Sequence, residues 1–160
     1  MDEESPPEEE TPKERADREL IELLNELRVV LPGVTVLLAF LLAVPFANGW
    51  TRVTGFQRDV FVVAFLATAV SVALLTAPSA YHRLRFRAGD KELMVKIGNR
   101  LSIAGIAASA VSLEAVVVLV MDAVVSRGAA IAAAAVLFVV VGALWYGLPL
   151  RAALRDRSAR

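Results

Sequence analysis

Few residues in this chain could do chemistry, and Glu114 is the foremost of them, a lone carboxyl in the uncharged run SAVSLEAVVVLV at residues 109–120. An ionisable group in the middle of an apolar segment is expensive to place, so its default reading is functional. No Lys, Arg or His lies in any of the chain's long apolar runs, so no opposite charge is at hand. Desolvation without a cation disfavours the charged form, and Glu114 is therefore expected to be protonated and hydrogen-bonded, with Thr68 or Ser71 as partner. Two readings compete: a mid-membrane carboxyl on a proton or cation path, shared between protomers, or a neutral clamp between helices.

The remaining candidates are structural. His82 is the only histidine and follows Tyr81; one imidazole cannot build a two-histidine haem or zinc site, so no metal and no cofactor are expected. Cysteine is absent, which excludes disulfides, thiolate metal sites and a cysteine nucleophile. There is no Ser-His-Asp set at plausible depth, no P-loop and no dinucleotide fingerprint, and an enzyme is not expected. Asp59 stands where it would cap a helix start.

The elements that must position these groups are four apolar runs, residues 29–47, 60–78, 101–121 and 129–149. Each is close to the roughly 20 residues that cross a bilayer core as a helix. Hydrophobic residues make up 57% of the chain and mean hydropathy is +0.60, too apolar for an ordinary soluble domain. The expected fold is all-α, a four-span transmembrane helical bundle over residues 29–150, because a segment in hydrocarbon must satisfy its own backbone polar groups. Before it come a disordered acidic tail at 1–16 and an amphipathic helix at 17–28; after it comes a basic tail at 151–160. Leu20, Leu23, Leu24 and Leu27 recur at helical spacing opposite Glu19, Glu22 and Glu26. That helix either floats its leucines at the interface or docks on the basic loop or a partner. Pro32, Pro45, Pro78 and Pro149 are expected near span ends.

Sidedness follows from Lys and Arg, which accumulate in cytoplasmic segments. One side carries Lys13, Arg15, Arg18 and Arg28, the inner-loop set Arg83, Arg85, Arg87, Lys91, Lys96 and Arg100, and the tail set Arg151, Arg155, Arg157 and Arg160; the other has only Arg52, Arg58 and Arg127. Both termini are expected in the cytoplasm, with the protein in the cytoplasmic (inner) membrane. Trp50 at one level and Tyr81, Trp145 and Tyr146 at the other agree with an interfacial aromatic belt. The basic loop suits anionic headgroups at the inner face, and nothing in it resembles a nucleic-acid module. Along the third run Gly98, Ser102, Gly105, Ser109 and Ser112 form a seam of small residues that suits close helix packing, with Glu114 pointing nearly the opposite way. A second copy or another membrane protein is the expected partner.

Residues 25–46 (NELRVVLPGVTVLLAFLLAVPF), 55–69 (GFQRDVFVVAFLATA) and 74–87 (LLTAPSAYHRLRFR) resemble the small actinobacterial integral membrane proteins of domain of unknown function 6328. The resemblance covers about residues 18–150 and implies a four-span inner-membrane protein with no established activity. Arg58, His82 and Arg83 stand in its matching segments. The expected role is accessory or structural, through helix and partner contacts, with an oligomeric proton or cation translocator using Glu114 as the alternative.

Overall fold

The computed structural model describes residues 11–84, 91–148, 150, 151, 154 and 155. Among the described residues there are four α-helices: α1 (Pro12–Ala43), α2 (Gly55–Leu84), α3 (Lys91–Val124) and α4 (Arg127–Val141). The last continues as a π-helical turn over Gly142–Gly147, and two short 3₁₀ turns, Val44–Phe46 and Trp50–Arg52, connect α1 to α2. There is no strand among the described residues, and each of the four helices is long and apolar enough to cross a membrane.

Local chemistry sets the helix starts. At α1, Thr11 and Glu14 form a capping box in which the Glu14 amide donates to the Thr11 hydroxyl and the Thr11 amide to the Glu14 carboxylate, with Pro12 in the first turn. At α2 the same exchange joins Thr54 and Gln57. Asp59 was the expected cap, but it lies in the second turn and is exposed, too far along for the free N–H groups of the first. Ser126 caps α4 by accepting from the Ala129 amide.

The expected amphipathic helix and the first apolar run are one continuous helix, which starts at Pro12. The acidic stretch 1–10 lies outside the described residues, as do Gly89 and Asp90. Pro32 and Pro78 stand inside α1 and α2 rather than at their ends. Each costs its helix one backbone donor, and Pro78 is buried against Gly98 of α3.

Successive helices run antiparallel through short connections. The broadest interface joins α2 and α3, and α1 packs on both of them. Toward the α2–α3 connection the core is Leu23, Leu27, Val34 and Leu75 with Ile106 against them. Toward the other end it is Leu41, Phe61, Ala64 and Ala115, with Trp50, Val116 and Leu119. There Trp50 meets Phe61 edge-on at 4.8 Å between ring centroids, a favourable geometry for the ring quadrupoles. Leu20, Leu23 and Leu27 are all buried and Leu23 sits over Gly98, so the leucine face of α1 docks on the bundle. Glu19, Glu22 and Glu26 are left exposed on the far side.

By contrast, the body of α4 packs on α3 and on its own continuation, and among the described residues Arg127 at its start is what reaches α2, over the Phe56 ring. Its inward stripe is Ala130, fully buried, with Ala133, Ala134 and Leu137 half-buried.

Candidate functional site

The small-residue positions of α3 meet α2 in a hydrogen-bonded seam. Gly105 allows the approach: a Cβ there would stand 2.7 Å from Leu75 Cγ, and Leu75 is fully buried. The close approach exposes the Gly105 carbonyl to the Ser71 hydroxyl, which donates to it at 2.7 Å. One helical turn on, Thr68 Oγ1 and Ser112 Oγ lie within hydrogen-bond distance of each other and, at 2.7 and 3.1 Å, of the Ala64 carbonyl, so that one hydroxyl donates to the carbonyl and the other to its fellow hydroxyl. Thr68, Ser71 and Ser112 are fully buried, and every one of these polar groups is satisfied. Ser102 donates to the Gly98 carbonyl and Ser109 to that of Ile106, bonds within α3 itself.

Glu114 is not part of this network. The expected bond to Thr68 or Ser71 is absent because both hydroxyls lie on the opposite side of α3, against Ser112 and the Ala64 and Gly105 carbonyls. Glu114 Oε1 is buried and has no hydrogen-bond partner. The carboxyl shares a half-buried stripe with Ala107, Ala110, Val117, Val118 and Met121, while Ile103 beyond it is exposed. Since α2 holds the seam and α1 packs around Ala115, Val116 and Leu119, that stripe is the one covered by α4. Residues 128–144 of α4 contain only Gly, Ala, Val, Ile, Leu and Phe, so this helix offers the carboxyl no side-chain donor. What remains is an acid whose buried oxygen has no hydrogen-bond partner among the described residues.

A second polar cluster lies at the Trp50 end and was not foreseen from the sequence. Asp122, its side chain 5% exposed, receives the Gln57 amide Nε2 at 2.9 Å and the Arg127 guanidinium through Nε and, at 3.5 Å, Nη2. The guanidinium also lies over the Phe56 ring, 3.5 Å from its centroid. Gln57 serves twice, its oxygen closing the α2 cap and its nitrogen holding α3. The local signal was an Asp and an Arg five residues apart across the Ser126 turn. Their link to Phe56 and Gln57, more than 60 residues away, exists only in three dimensions.

Arg83, in the last turn of α2, is exposed, and Lys96 and Arg100 are exposed on α3. Arg85 and Arg87 lie outside the described residues, and of Lys91 and His82 only the backbone is described. Arg58 is exposed near the start of α2. No group of three or more metal-ligating side chains occurs among the described residues.

No curated protein and no solved structure significantly matches the chain. Residues 9–149 match a family of unknown function, DUF6328, and the chain belongs to that family.

Proposed function

We propose that this chain is a four-span integral membrane protein of the cytoplasmic membrane, both termini cytoplasmic, acting as an accessory or structural component through helix and partner contacts. The observation that carries this reading is the inversion of polarity across the bundle. Seam hydroxyls turn inward and are all paired, while large apolar side chains such as Phe40, Leu66, Val70, Ile131 and Phe138 are exposed on α1, α2 and α4. Such a surface suits hydrocarbon and would drive aggregation in water. The α3 seam is occupied by α2 and is not free for self-association. A second copy or another membrane protein would therefore meet an outward face instead.

Glu114 supports a second reading, an oligomeric proton or cation translocator, because an unpaired carboxyl oxygen in such a setting is costly to keep. The two separate in liposomes. For an accessory protein, proton and sodium flux stay at the level of empty vesicles. For a translocator, flux is present and Glu114→Gln abolishes it at unchanged folded yield.

A further inference from the structure

Three observations about α4 combine. Beyond its first residue it packs on α3, through a stripe made mostly of alanines. Between helices in lipid there is no hydrophobic drive to add to the packing of that single contact. Beneath it lies Glu114 Oε1, buried and unpartnered. At its start, Arg127 of α4 is bonded to the nearly buried Asp122 of α3 and stacked on Phe56 of α2. These are the polar side-chain contacts that tie α4 to the bundle among the described residues.

We propose that α4 is a hinged cover over Glu114, with the Val125–Ser126 turn as hinge and the Asp122–Arg127 pair as latch, so that water reaches Glu114 along the α3–α4 contact from the latch end. Geometry makes this the short route. Asp122 and Glu114 are eight residues apart on one helix, about 12 Å of rise, and lie on neighbouring lines of the α3 surface. The other side of α3 is closed by the paired seam and by Leu75 against Gly105. Among the described residues, no titratable group of α1, α2 or α4 faces the carboxyl along the covered stripe; the one on α4 is Arg127, which is held by the latch. With the latch closed, Oε1 of the half-buried carboxyl is shut off from water. With the latch open, water reaches it.

The chain has no cysteine, so one introduced thiol reports on one position. The full-length protein carrying Glu114→Cys is placed in lipid nanodiscs, which expose both faces, and its reaction with a small cationic methanethiosulfonate is followed by intact mass. The thiol is expected to react slowly while the latch is intact. Adding Asp122→Asn or Arg127→Ala should speed it by about tenfold or more, the factor that corresponds to losing one charge-assisted hydrogen bond. A rate unchanged by both variants overturns the proposal, as does a thiol that reacts fast with the latch intact. Ala64→Cys, fully buried in the α1–α2–α3 core, must stay unreactive in the same variants. If it too becomes reactive, the latch residues hold the whole bundle and not a cover, and the proposal fails. Access at residue 114 is read without any ion movement, so an absence of flux counts against the translocator alone.

Discussion

At the scale of residues, the seam and the lone carboxyl behave in opposite ways. Gly105 is a position where one methyl group matters, because its Cβ would stand 2.7 and 2.8 Å from Leu75 Cγ and Cδ2 in a side chain with no exposed surface to move into. Gly105→Ala is expected to cost about 1–3 kcal/mol by overpacking. Gly98→Ala should cost less, since the nearest atom, at 2.9 Å, is the far end of Leu23 at the bundle's edge. Comparing the thermal midpoints of the two variants in detergent checks the order. Glu114 gives the reverse expectation. Its buried oxygen has no partner, so an apolar replacement removes an uncompensated polar group and leaves no orphan behind. Glu114→Leu should raise stability by about 1–3 kcal/mol. A fall in the midpoint instead would show the carboxyl acting as a clamp between helices.

Among the elements, α1 and α4 are attached by different means. The leucine face of α1 is sunk into the bundle, with Leu27 only 3% exposed beside Leu75 and Val34. Leu27→Ala should therefore cost about 2–4 kcal/mol through lost burial and a residual cavity. Glu22→Ala, which breaks only the exposed 3.2 Å pair with Arg18, should change stability by less than about 0.5 kcal/mol. Denaturant unfolding monitored by Trp fluorescence separates these outcomes. In α4, the body of the helix meets only α3 and the polar contacts sit at one end, whereas α1 packs on both α2 and α3, which makes α4 the helix least committed to the core among the described residues. The helices themselves were legible in the sequence, because an apolar run and a helical leucine spacing are local properties. The beginning of α1 was less so: a strongly acidic segment read as tail, yet the Thr11–Glu14 box and Pro12 start a helix within it. Asp59 misled for a related reason, since charge near a helix start is a weaker cue than the Thr54–Gln57 pair three residues apart.

For the whole molecule, the proposed orientation makes a direct prediction. Single cysteines replacing Arg52 and Lys96, both exposed and near opposite ends of the bundle, should differ in intact cells. Arg52→Cys should react with a membrane-impermeant maleimide and Lys96→Cys should not until the membrane is opened; the reverse pattern would invert the proposed topology. Much of this architecture is written locally. Four runs of sufficient length, an uneven spread of Lys and Arg and one carboxyl among valines determined the number of helices, the expected sidedness and the candidate residue, each from composition within about twenty residues. The five small positions of α3 likewise share a face by helical period alone. Only the tertiary structure decided what each face meets. Thr68 and Ser71 were plausible partners for Glu114 by depth, but the rotation of α3 against α2 hands them Ser112 and the Gly105 and Ala64 carbonyls. The same rotation turns Glu114 toward α4 with no donor in reach. It also brings Gln57 and Phe56 to Asp122 and Arg127. Depth along a helix follows from rise per residue, but the angle at which one helix presents itself to the next is set by packing across the interface, which no local run of sequence contains.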